Sequence, residues 1–186
     1  MEPILLSVPT QIETDRLTLR APSEGDGRVV NVAIRESLNE LKPWLSFAQS
    51  MPAVEETEAN IRKALVQFLE RKSFRFLIFH KENQEFIGTA SIHGIDWRIP
   101  KGEIGYWVST PYSGKGYMTE AIQAITNFGF EELKLNRIQI QIESTNEKSQ
   151  AIPRKLGYNL EGILKNDDLS ADGSRLTDTC IFALTR

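Results

Sequence analysis

Between Ser109 and Ala121 the sequence reads Ser-Thr-Pro-Tyr-Ser-Gly-Lys-Gly-Tyr-Met-Thr-Glu-Ala. Gly114 and Gly116 stand just ahead of a stretch with helical apolar spacing, and an alternating segment precedes them. A strand that ends in a glycine turn and then enters a helix leaves backbone N–H groups unpaired, with the positive end of the helix dipole behind them. Such a turn binds phosphate oxygens through the main chain alone. The two glycines let the backbone approach an oxygen closely, and Lys115 sets a cation on the rim. A Walker P-loop is excluded, because Gly116 is followed by Tyr117 rather than by its required lysine and hydroxyl residue. A dinucleotide fingerprint is a weak competitor: Thr119 holds its third glycine position, and the turn does not follow the first strand of a parallel sheet.

Asn146 and Ser149 have the types and spacing of a helix cap. Glu103 and the pair Asp167-Asp168 are carboxylates that could take a proton, although surface charge or turn formation explains them equally well. His80 and His93 have no cysteine or acid at metal-ligand spacing, so no metal site is expected. Cys180 is the only cysteine, which excludes an internal disulfide, and its apolar strand suits a small buried residue.

The elements that must position these residues follow from periodicity. Residues 14–20 alternate as a half-buried strand. Residues 22–40 read as helical until Lys42-Pro43 interrupts, and 55–72 form a second helix with Ile61, Leu65, Phe68 and Leu69 on one stripe. Strands are expected at 74–80, 85–97 and 102–109, then a helix at 116–133 and a strand at 137–143. A short helix at 147–156 stops at Gly157, and strands at 158–164 and 178–184 flank a loop with Asp172-Gly173. This order predicts a mixed α/β fold. It has a largely antiparallel sheet of about seven strands, four flanking helices and one strand–helix–strand crossover.

The 186 residues fit a single domain over 1–186. A net charge of −3 gives no basic face for nucleic acid. No stretch approaches the roughly 20 apolar residues of a membrane span. Residues 1–7 lack the positive charge and apolar length of a signal peptide, so a cytoplasmic protein is expected.

The glycine turn resembles the pyrophosphate loop of the GNAT acyltransferase superfamily, written Gln/Arg-x-x-Gly-x-Gly/Ala. Ser113 stands where many members carry Gln or Arg, and Met118 takes the Gly/Ala position. Thr14-Asp15-Arg16-Leu17-Thr18-Leu19-Arg20, Trp44-Leu45, Gly105-Tyr106-Trp107, Asn146-x-x-Ser149 and Lys155-Leu156-Gly157-Tyr158-x-Leu160-Glu161-Gly162 narrow the likeness to its RimJ/RimL-like branch. Together they cover nearly the whole chain.

The resemblance implies acetyl-CoA as co-substrate, with Ser113, Gly114, Lys115, Gly116, Tyr117, Met118 and Thr119 around the pyrophosphate. It places pantetheine along Trp107 and Val108, where a main-chain N–H can polarise the thioester carbonyl. It sets Asn146 and Ser149 beside the same arm, with Ser149 able to steady the departing thiolate. Tyr106, Trp44 and Phe47, wall or core aromatics by default, become candidates for the acceptor side. The acceptor amine must be neutral to attack; a chain-terminal amine, with a pKa of about 8, needs less help than lysine. Asp168 aligns with an acid used near that amine in the branch, and Glu103 is the second candidate base. The expected acceptor is the N-terminal amine of a protein, ribosomal by likeness. A small amine such as a polyamine, amino acid or aminoglycoside is the alternative within enzymes. A non-catalytic CoA-binding module and a nicotinamide-dependent oxidoreductase are the competitors from other classes. Relatives often form dimers, which leaves a homodimer open.

Overall fold

Leu17 and Leu19 are fully buried while Thr18 and Arg20 are only partly so, which is the alternation of a strand with one covered face. That strand, β2 (Leu17–Arg20), is shorter than the alternating stretch from which it was read. The Thr14 N–H instead donates to the Leu17 carbonyl at 2.9 Å and closes a turn. The turn pairs β2 with a strand that the sequence pattern does not show, β1 (Gln11–Glu13). Three residues are too few to display a period of two, so the sheet has eight strands rather than about seven.

A computed structural model describes residues 2–186; Met1, where the reading of the N-terminal stretch begins, lies outside them. After β2 come α1 (Gly27–Leu41), α2 (Val54–Leu69), β3 (Phe74–His80), β4 (Phe86–Asp96) and β5 (Lys101–Val108). Then follow α3 (Tyr117–Glu131), β6 (Arg137–Glu143), α4 (Glu147–Lys155), β7 (Asn159–Leu169) and β8 (Leu176–Thr185). The strand order is β1-β2-β3-β4-β5-β6-β8-β7, and every neighbouring pair is antiparallel except β5 and β6. That one parallel pair needs a crossover, and α3 supplies it. The final hairpin is longer than its apolar pattern suggested: β7 continues through Asp167 and Asp168, across a bulge, in register with β8.

Ile92, Ile104, Ile138 and Ile140 line the face on which Ala121, Ile122, Ile125 and Phe128 of α3 pack. Leu77, Phe79 and Phe86 line the other face, under Val30, Ala33 and Ile34 of α1 and Ile61 of α2. Phe68, near the end of α2, joins the α3-side cluster, edge-on to Phe74 and Phe76 at 5.1 and 5.4 Å. Two packed faces fix the height and tilt of β5, and β5 carries the site.

Candidate active site

β5 ends under restraint. The Thr110 N–H donates to the buried Ser37 hydroxyl of α1 at 2.9 Å, and Pro111 opens into a single 3-10 turn, Thr110–Tyr112. Gly114 and Gly116 then adopt φ of 74° and 80°, where a side chain is strained. Gly116 is the N-cap of α3 and offers no side chain to close it. The first helical bond runs from the Glu120 N–H to the Gly116 carbonyl. Among the described residues no protein acceptor meets the N–H groups from Gly114 to Thr119. A run of unpaired donors at a helix start is an anion site.

The side chains around this turn hold it in shape. Met118 is buried in the core, so only its main chain faces outward. The Arg16 guanidinium lies 4.4 Å above the Tyr117 ring, and His80 meets that ring edge-on at 5.6 Å. Glu120 accepts from the Thr14 hydroxyl at 2.7 Å, the Arg16 main chain at 2.9 Å and Arg16 Nε at 2.6 Å. Arg16 Nη1 also donates to the Lys115 carbonyl at 3.1 Å. Burial opposes ionisation of Glu120, but the bonds from Thr14 and Arg16 outweigh it and hold the carboxyl below its ordinary value. Ser113 and Lys115 stay exposed at the rim.

Beside the turn the sheet opens. β5 and β6 pair only from Lys101↔Arg137 to Glu103↔Gln139, although β5 runs on to Val108 and β6 to Glu143. The strands part there, and the β6-facing main-chain edge of β5 is left free to pair with an extended amide chain. Strand alternation separates the side chains as expected. Trp107 turns to the α1–α2 side, against Phe47 at 6.3 Å and Phe86 at 5.8 Å, whereas Tyr106 and Val108 join the α3-side cluster. Trp44 and Phe47, on the segment after α1, are 38% and 45% exposed, so both can meet a second substrate.

α4 begins on the far bank of this split. Asn146 caps it by accepting from the Ser149 N–H at 3.1 Å. Ser149 is also tied to β5: the Tyr106 hydroxyl donates to the Ser149 carbonyl at 2.9 Å and accepts from the Ser149 hydroxyl at 3.1 Å. Burial pushes the Tyr106 hydroxyl up to about 12, so it keeps its proton at neutral pH. The sequence shows no sign of this contact, because 43 residues separate the partners. The Arg16–Glu120 clamp is likewise invisible along the chain; the alternation at 14–20 predicts a strand and carries part of the family likeness, but it gives no sign of a partner 104 residues on.

The two candidate bases lie apart. Glu103 is half-buried on the face opposite Tyr106, at the last paired position before the split, cross-strand from His93. Gln139 Nε2 donates to it at 3.2 Å. Asp168 is exposed near the β7–β8 turn and accepts from the Leu169 N–H at 2.7 Å. No hydrogen bond connects it with Ser149 or Tyr106 among the described residues. Cys180 is buried, and burial raises its thiol above the usual range.

Comparison with known proteins agrees with this geometry. Residues 16–159 match the family model described as an acetyltransferase (GNAT) domain. The chain is 31% identical over 161 residues to a putative ribosomal N-acetyltransferase, YdaF, of Bacillus subtilis, covering 86% of each. It is 36% identical over 118 residues to the uncharacterized N-acetyltransferase p20 of Bacillus licheniformis, where the match spans 63% of this chain and 65% of that protein. Among solved structures, RimL, a ribosomal L7/L12 α-N-protein acetyltransferase in complex with coenzyme A, superposes with a TM-score of 0.86. That pair is 23% identical and covers 96% of this chain and 97% of the other, which speaks to the fold. With its open-capped α3, its parted β5 and β6 and a family match over most of its length, the chain belongs to the GNAT family of N-acetyltransferases, which draw their acetyl group from acetyl-CoA.

Proposed function

We propose that this enzyme acetylates the free N-terminal amine of a protein, a ribosomal protein being the class named for its relatives. The observation that carries the reading is the split between β5 and β6, with unpaired N–H donors on one side and an open polar face on the other. On that open face Ser91, His93, Glu103 and Gln139 are half-buried and Gln141 is exposed. An open, mixed-polarity face suits a peptide end, whereas a polycation calls for a deep acidic pocket.

In this reading the N–H groups of Gly114 to Thr119, with Lys115 at the rim, hold the pyrophosphate of acetyl-CoA. The freed edge of β5 at Trp107 and Val108 pairs with pantetheine, and an N–H there draws charge onto the thioester oxygen as the amine attacks. The new N–C bond forms as the C–S bond breaks. Ser149, held in place by Tyr106, turns its one hydroxyl proton from the Tyr106 oxygen to the leaving sulfur, a thiolate whose parent pKa of about 8.5 makes modest help enough. Glu103 takes the amine proton through water, favoured over Asp168 by its place at the split. Trp44, Phe47 and Trp107 form the wall against which the first peptide residue rests.

Thiol release from acetyl-CoA, measured with peptides bearing free or blocked N-termini alongside spermidine and an aminoglycoside, tests the proposal. Turnover of free-ended peptides, none of blocked ones, and kcat/KM for the small amines at least about tenfold lower is expected. A small amine that outpaces every peptide, or acetyl-CoA bound with no turnover on any amine, would contradict it.

A further inference from the structure

α4 contains a residue that helices normally reject. Pro153 lies inside Glu147–Lys155, and its side chain is buried. Proline has no N–H, so it leaves the carbonyl four residues earlier without its helical partner. That carbonyl belongs to Ser149, and it is the one that accepts the Tyr106 hydroxyl at 2.9 Å. The carbonyl of Asn146, at the start of the helix, is taken in the ordinary way, by the Gln150 N–H at 3.1 Å. An interior proline costs helix stability, and the Tyr106 bond offsets part of that loss.

The geometry points to Pro153 as a positioning residue for catalysis: by withholding an N–H it reserves the Ser149 carbonyl for Tyr106, and so fixes the Tyr106 hydroxyl beside the Ser149 hydroxyl. This rests on the reading that Ser149 and Tyr106 serve the departing thiolate. The phenol is committed on its donor side to a main-chain oxygen whose i+4 helical donor Pro153 has removed. Its lone pair then meets the Ser149 hydroxyl at 3.1 Å, and the two oxygens hold one arrangement across the split. Restoring the N–H at position 153 sets a helical donor in competition for the same carbonyl. Tyr106 would then share that oxygen with a main-chain donor, and its anchor would loosen although neither it nor Ser149 had been altered.

Pro153→Ala, Tyr106→Phe and the double variant test this. The readings are kcat, KM for acetyl-CoA, melting temperature and the 13Cζ resonance of Tyr106 in tyrosine-labelled protein, which senses the hydroxyl contact without turnover. Pro153→Ala is expected to move the Tyr106 resonance and to lower kcat about fivefold to tenfold, with KM within about twofold and no loss of melting temperature. The double variant should be no slower than Tyr106→Phe, because both changes remove one contact. An unmoved resonance, or losses in kcat that multiply in the double variant, would overturn the role of Pro153. A moved resonance with kcat unchanged in all three proteins would overturn it differently: the contact would stand, and the placing of Tyr106 and Ser149 at the reacting sulfur would fall.

Discussion

Ser149 makes more contacts than its position as a capping partner suggests. Its N–H satisfies Asn146, its carbonyl takes the Tyr106 proton and its hydroxyl turns toward the same phenol. With Tyr106 protonated up to about 12, the pair changes no charge across the pH range of enzyme assays. On the proposed mechanism the pH dependence of turnover therefore falls to the amine and its base. Glu103→Gln should lower kcat/KM about 100-fold, most strongly at low pH where the amine is protonated, while Asp168→Asn leaves the profile close to wild type. A pH–rate profile altered by Asp168→Asn and not by Glu103→Gln would move the base to the β7–β8 hairpin. Of these residues Asn146 was legible as a cap from type and spacing alone. The coupling of Ser149 to Tyr106 was not, since side-chain contacts between distant segments leave no periodicity.

At the scale of elements, α3 is fastened at its N-terminus to the β1–β2 turn. Glu120 collects three hydrogen bonds from Thr14 and Arg16, and Arg16 also holds the Lys115 carbonyl. The Arg16 side chain is 44% exposed, so the ion pair alone adds little stability; its value lies in geometry. The Glu120 carboxyl sits below its ordinary value in the folded protein. Its contribution is therefore fully present above the unfolded value near 4.3 and is lost as pH falls through the folded one. Glu120→Gln should melt lower than wild type at pH 7, with the gap closing as the pH is taken toward 3. A gap that stays constant with pH would mean that the carboxylate is not what ties the turn. The helices and the central strands were readable because their apolar stripes are long. β1 and the extension of β7 were not: one is three residues, and the other is exposed along nearly its whole length.

For the whole molecule, the sheet is a partition with a slot. α3 and α4 lie on one side, α1 and most of α2 on the other, and the parallel pair β5–β6 separates after Glu103 and Gln139. On the proposed reading donor and acceptor approach from opposite faces and meet at the end of β5, where Tyr106 looks one way and Trp107 the other. The order of elements in the sequence predicts the single crossover, because a parallel neighbour requires one. The slot itself is a matter of register, and the composition of β5 and β6 does not reveal where pairing stops. The central claim is that the main-chain donors from Gly114 to Thr119 hold the CoA pyrophosphate. Amide hydrogen exchange with and without CoA tests it most directly: these amides should exchange rapidly in the free enzyme and slow by about 100-fold or more at saturation. Saturating CoA that leaves them fast, while protecting amides elsewhere, would contradict the assignment.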